Sequence, residues 1–104
     1  MKLLFVCTAG QQRSPTAAKL FEGMGYLTDY AGIHGLGDRG LSAKKLEWAD
    51  LVIVMEEFHR AYIKQHFPEY FNNHRIHVLN IPDIYYRDDP ELIENIREKM
   101  ETVL

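Results

Sequence analysis

Four consecutive apolar residues, Leu3-Leu4-Phe5-Val6, run directly into Cys7-Thr8-Ala9-Gly10-Gln11-Gln12-Arg13-Ser14-Pro15, and this junction constrains the chain more than any other stretch. A short apolar run without alternation reads as a strand covered on both faces, as in parallel sheets. Ser14 is a helix N-cap residue type and Pro15 suits a first turn, so a helix is expected to open there. The order strand, loop, helix sets the only cysteine at the carboxyl end of a strand. Ligands of open parallel sheets bind at that edge.

A thiol is a useful nucleophile only as thiolate. Loop N–H groups, a helix N-terminus and a guanidinium all favour an anion gathered at one point. Arg13 lies six residues after Cys7, so Thr8, Ala9, Gly10, Gln11 and Gln12 can curl into a cup of N–H donors. The guanidinium can then close the open side of a bound phosphate with two parallel hydrogen bonds. The same donors would stabilise a phosphoryl group in transfer, and Ser14 can hydrogen-bond the sulfur. Composition and spacing alone imply an oxyanion bound beside a thiolate.

The Cys7-x5-Arg13-Ser14 pattern resembles the active-site signature of the low-molecular-weight protein tyrosine phosphatases. Asp29-Tyr30-Ala31-Gly32 is similar to the Asp-Ser-Ala-Gly at the end of that family's second strand. Asp50-Leu51-Val52-Ile53-Val54-Met55-Glu56 is similar to its third strand and the Met-Asp-Glu exit, and Asp83-Ile84-Tyr85-Tyr86 to its Asp-Pro-Tyr-Tyr. The resemblance implies a flavodoxin-like, phosphotyrosine phosphatase I-like sheet of strand order 2-1-3-4, with the Cys7 loop at the switch point. It implies Cys7 as nucleophile, Asp83 as general acid, and a phosphotyrosine substrate whose ring Tyr85 and Tyr86 would wall. Ala9 and Gly10 depart from the family's Gly and Asn, so the asparagine that props the loop is absent and Gln11 or Gln12 is expected to substitute. Gln12 also stands where a second cysteine is frequent.

Three aspartates follow the expected fourth strand. Asp89 precedes Pro90 and a helical run, which makes it an N-cap. Asp83 carries the resemblance, and Asp88 is the alternative acid, since the acid must lie within hydrogen-bond reach of the leaving oxygen.

The other elements follow from period and punctuation. The helix after Pro15 has Ala17, Leu20, Phe21 and Met24 at helical spacing, with Phe21 and Met24 expected in the core and Gly23 and Gly25 ending it. Leu27–Ala31 is a second strand. A glycine-rich loop over 32–40 carries His34 and Arg39 as solvated residues. Ser42 caps a short helix through Trp48, with Leu46 inward, Trp48 a partial core plug, and Lys44 and Lys45 a solvated face. Leu51–Met55 is a buried parallel strand. The helix after Glu57 is expected to share Phe58, Ala61, Tyr62 and Gln65 on one face until Pro68 stops it. Arg75–Leu79 is a fourth strand, and Leu92, Ile93, Ile96, Met100 and Val103 give the last helix its buried face. Four strands, each followed by a helix or helical turn, make a three-layer α/β sandwich around a four-stranded parallel sheet.

At 104 residues the chain is expected to form one domain, residues 1–104. A net charge of -3 with scattered lysines and arginines excludes a nucleic-acid footprint, and no segment could span a bilayer as a helix. A lone cysteine excludes an internal disulfide and fits a reducing cytoplasm. Neither His74 with His77 nor His59 with His66 has a partner at metal-ligand spacing, so no metal or other cofactor is expected. The reading is therefore a cysteine-dependent phosphomonoester hydrolase working through a phosphocysteine. Its substrate would be a phosphorylated protein or small aryl phosphate, with phosphate or vanadate as inhibitory oxyanions. The alternatives are a catalytically weak phosphate- or phosphopeptide-binding module and, further off, a phosphotransferase IIB-like phosphocarrier. That carrier would not require Arg13 or a hydrolytic aspartate. An arsenate reductase of the same fold would need further cysteines.

Overall fold

The computed structural model describes all residues, Met1–Leu104. Four parallel strands, β1 (Lys2–Cys7), β2 (Leu27–Gly32), β3 (Leu51–Val54) and β4 (Ile76–Val78), form one sheet ordered β2-β1-β3-β4. Between and after them run α1 (Arg13–Glu22), α2 (Ala43–Trp48), α3 (Glu57–His66) and α4 (Pro90–Met100), with 3-10 turns at Gly37–Arg39 and Pro68–Tyr70. The expected fold class and strand order are those observed.

The period-2 alternation of β1 and β3 builds the three layers. Leu3, Phe5 and Cys7 join Ile53 and Met55 on one face, under Ala17 and Phe21 of α1 and Leu92, Ile96 and Met100 of α4. Leu4 and Val6 join Val52 and Val54 on the other, under Leu46 of α2 and Ile63 of α3. Both central strands are thus covered on both sides, which is why neither alternates in polarity.

Three expectations about the helices need correction. Met24 is half exposed: α1 ends at Glu22, Gly23 caps it and Gly25 takes φ +98°, so Met24 has left the helical face on which Phe21 is buried. In α3 the buried residues are His59 and Ile63, whereas Phe58, Ala61 and Gln65 are exposed. The inward face is rotated by one residue, because His59 has polar partners inside. Lys45 is no solvated lysine: its side chain is 17% exposed, and Nζ donates to the carbonyls of Tyr30 (2.8 Å) and Asp38. The ammonium thus bridges a β2 carbonyl and the 3-10 turn Gly37–Arg39.

At α2 and α4 the punctuation holds. Ser42 accepts from Lys45 N–H and caps α2, Trp48 is half-buried against the core, and Asp89 accepts from Glu91 N–H with Pro90 opening α4. No helix is long and apolar enough to cross a membrane.

Candidate active site

The loop between β1 and α1 sits at the carboxyl edge of the sheet, between two neighbours that extend the strand pairing past its formal ends. Ile33 N–H donates to Cys7 O (2.9 Å) and His34 N–H to Thr8 O (2.8 Å). On the other side Met55 N–H donates to Val6 O and Ile81 N–H to Met55 O. Gly10, at φ +69°, turns the loop in a conformation that L side chains rarely adopt. This glycine stands where the resembled family has asparagine. The turn is therefore made by backbone freedom, and neither Gln11 nor Gln12 props it: Gln11 is exposed, and Gln12 Oε1 accepts from Arg87 N–H (2.7 Å) on the far loop.

Cys7 is 2% exposed, and its Sγ accepts from Gly10 N–H (3.3 Å) and lies 2.9 Å from Ser14 Oγ. Ser14 Oγ also lies 3.3 Å from Ala31 O. The hydroxyl carries one hydrogen and faces two acceptors. It can donate to Ala31 while the sulfur is a thiol, and turn to donate to the sulfur of a thiolate. Because Ser14 serves the sulfur it does not cap α1, contrary to expectation. The helix begins two residues earlier, with Gln12 at the N-cap position and no side-chain cap, so first-turn N–H groups remain open toward the loop.

Arg13, 1% exposed, is held from three directions. Nη1 donates to Glu56 Oε2 (2.6 Å) and Ile81 O (2.8 Å), and Nη2 donates to Thr8 Oγ1 (3.2 Å). Three of the five guanidinium N–H groups are so committed. Nε–H has no hydrogen-bond partner although it is buried, and its nearest anionic atom is Asp83 Oδ1 at 3.6 Å. A buried charged donor left open beside a cavity marks where an acceptor is meant to sit.

That cavity, about 360 Å³, is lined by Cys7, Ala9, Gln11, Gln12, Arg13, Asp83, Ile84, Tyr85 and Tyr86. Of the residues singled out in the sequence, Thr8, Gly10 and Ser14 are not on the cavity wall. Tyr85 packs on the core and its hydroxyl meets Asn95 Nδ2 (3.4 Å), whereas Tyr86 is 81% exposed at the rim. Asp83 faces the cavity and Asp88 does not. Asp88 takes φ +62°, its N–H donates to Thr16 Oγ1 (2.9 Å), and its carboxylate lies 3.7 Å from Lys19 Nζ. Ile84, unassigned from sequence, is also on the wall.

Sequence reasoning also missed Glu56 and His59. Glu56 N–H donates to His59 Nδ1 (2.9 Å), His59 N–H donates to Glu56 O, and His59 Nε2 lies 2.9 Å from Thr8 Oγ1. The side chain of His59 is fully buried. Burial, and then the Arg13 guanidinium, lowers its pKa from 6.5 to about 4, with Asp83 pulling the other way. A Glu-x-x-His at the start of a helix is a reciprocal capping arrangement, a signal that could have been read from residues 56–59.

In sequence the chain matches no protein-family model and no curated protein. Its structure is similar to several solved ones. The YwlE arginine phosphatase from Geobacillus stearothermophilus aligns with TM-score 0.70 at 25% identity, over 98% of this chain and 86% of that one. The tyrosine phosphatase Wzb from Escherichia coli K30, in complex with phosphate, gives TM-score 0.78 at 20% identity over 98% and 94%. The low-molecular-weight protein tyrosine phosphatase from T. tengcongensis gives 0.73 at 23% identity over 100% and 99%. From end to end, this chain has the fold of the low-molecular-weight protein tyrosine phosphatases.

Proposed function

We propose that the protein hydrolyses phosphomonoesters in two steps through a phosphocysteine on Cys7. The observation that carries the proposal is the buried Arg13 guanidinium, anchored by three partners and open at Nε in the cavity that Cys7 and Asp83 share. A phosphoryl group seated there would receive Nε–H and the remaining Nη2–H as a two-pronged donor, beside the loop residues Ala9, Gln11 and Gln12 that line the cavity. Cys7 thiolate attacks phosphorus as the bond to the leaving oxygen breaks, and Asp83 gives that oxygen its proton. Asp83 then takes a proton from water as the water oxygen bonds phosphorus and the S–P bond breaks. Inorganic phosphate leaves, and the Ser14 hydroxyl donates to the released thiolate. The chain's own donors supply the positive field for both steps.

The preferred substrate is an aryl phosphate, phosphotyrosine in a protein above all, because Ile84, Tyr85 and Tyr86 line the cavity beside the anion site. An arginine phosphatase among the similar structures makes phosphoarginine the substrate to compare with it. Phosphate and vanadate are expected to compete at the same site. The lone Cys7 thiol suits a reducing compartment such as the cytoplasm.

The test is hydrolysis of an aryl phosphate by wild type, Cys7→Ser and Asp83→Asn between about pH 4.5 and 8. Turnover by wild type, none by Cys7→Ser, and loss of most of the rate with the acid limb in Asp83→Asn support the mechanism. Full activity of Asp83→Asn moves the acid elsewhere. A wild type that binds vanadate but releases no phosphate makes the protein a binding module.

A further inference from the structure

His59 is a buried polar side chain that the two-step reaction does not use, and its contacts lead to the centre of the site. Backbone N–H groups can only donate. The bond from Glu56 N–H to His59 Nδ1 therefore fixes Nδ1 as the bare nitrogen of the ring. The single proton of the neutral ring is on Nε2, which makes His59 the donor and Thr8 Oγ1 the acceptor across their 2.9 Å contact. Arg13 Nη2 donates to the same oxygen from 3.2 Å. Thr8 Oγ1 thus accepts from a histidine anchored in the first turn of α3 and from the guanidinium. A second proton on His59 would set Nδ1–H against Glu56 N–H, so the network requires the neutral ring. The fully buried setting of the side chain favours that form.

Arg13 Nη1 is already saturated by Glu56 and Ile81, and both of those contacts act on one arm of the guanidinium. The other arm, Nη2, is held by its bond to Thr8, while Nε–H has no hydrogen-bond partner. We propose that His59 is a positioning residue for Arg13. Through the Thr8 hydroxyl it fixes the rotation of the guanidinium, so that Nε–H and the remaining Nη2–H face the bound anion. The device rests on the phosphomonoesterase reading of the same site, and its physical consequence, the tightness of anion binding, can be measured without turnover. It also accounts for the rotated face of α3: Phe58 stays exposed because the inward position is taken by the histidine.

Two substitutions separate the ring's two contacts. In His59→Gln the side-chain amide nitrogen reaches the place of Nε2 and keeps the donation to Thr8, but the acceptor for Glu56 N–H is lost. In His59→Asn the amide oxygen takes the place of Nδ1 and keeps the link to Glu56, but nothing reaches Thr8. Thr8→Val removes the hydroxyl at constant shape. A hydrogen bond to a charged group corresponds to roughly a 10- to 100-fold effect. His59→Asn and Thr8→Val should each lower kcat/KM on an aryl phosphate, and weaken vanadate binding in calorimetry, by at least about tenfold. His59→Gln should stay within about threefold of wild type in both, and the Asn/Val double variant should be no worse than the poorer single one. Thermal stability of all four is measured alongside. Equal losses in His59→Gln and His59→Asn that follow their thermal stabilities would make His59 merely structural and overturn the proposal, as would additive losses in the double variant. If wild type binds vanadate without turnover, the hydrolase reading falls, while the same order of affinities still decides the role of His59. A wild type that binds no oxyanion overturns both.

Discussion

Gly32 touches no part of the cavity, yet its replacement by alanine should disable the site. It closes β2 in register with Cys7, and the nucleophile loop crosses directly over it. A Cβ at Gly32 would stand 2.3 Å from the carbonyl carbon of Ala9, 2.4 Å from Gly10 N and 2.7 Å from Thr8 O. Carbon contacts relax near roughly 3.5 Å, so the loop must retreat by about 1 Å. All three obstacles are backbone atoms, and no rotamer change can relieve the contact. Retreat also strains the bonds from Ile33 N–H to Cys7 O and from His34 N–H to Thr8 O. Overpacking costs about 1–3 kcal/mol and each weakened backbone bond up to about 1, giving a loss near 3 kcal/mol. In a chain of this length that lowers Tm by roughly 12–24 °C. A reacting group misplaced by about 1 Å loses rate on the order of a hundredfold. The assay is calorimetric Tm with aryl phosphate turnover below the transition. Gly23→Ala is the control, since its Cβ meets only ordinary contacts from 3.4 Å outward on a helical backbone of φ -62°. Gly32→Ala with wild-type Tm and kcat/KM would refute the idea that close backbone packing under the loop sets its shape.

Three further outcomes follow from other contacts. His59 has a folded pKa of about 4 against 6.5 unfolded, so the unfolded chain is the better proton binder. Its contribution is intact above about pH 6.5 and is lost as pH falls toward 4, by up to about 3 kcal/mol. Urea midpoints of wild type and His59→Gln should converge as pH falls through that window, and parallel curves would count against the shift. Asp88→Asn should leave aryl phosphate hydrolysis unchanged, since Asn also tolerates φ +62° and the Lys19 contact is exposed. Asp89→Ala, by contrast, should lower stability by about 1 kcal/mol through loss of the α4 cap, with kcat unchanged.

The sheet was legible because its central strands are buried on both faces, a state that leaves an unbroken apolar run such as Leu51–Val54 in the sequence. Helix ends marked by Gly23, Ser42 and Asp89 were legible because each residue acts locally, through its own backbone or side chain. Errors came where a polar group is satisfied at long range. Lys45 looks like surface until Tyr30 O, fifteen residues earlier, supplies its partner. Met24 was misread for a local reason, since spacing continues past Glu22 although the helix does not.

The same distinction divides the candidate site. Cys7, Arg13 and Ser14 flank one short loop, so their spacing is nearly their geometry. The groups that hold Arg13 do not: Glu56 is 43 residues away and the Ile81 carbonyl 68. A backbone carbonyl leaves no trace in side-chain chemistry. His59 is harder still, because periodicity assigns an inward histidine to the outer face and turns Phe58 inward in its place. That inversion carries information. A helix whose hydrophobic pattern places an aromatic residue inward, while the fold exposes it and buries a neighbouring histidine, has given up apolar burial at that position. The burial of a Phe side chain is worth about 2–3 kcal/mol, so the polar network must recover a comparable amount through satisfied bonds around Thr8 and Arg13. On that balance His59→Phe, which restores the apolar pattern, should cost less stability than His59→Ala while still loosening Arg13.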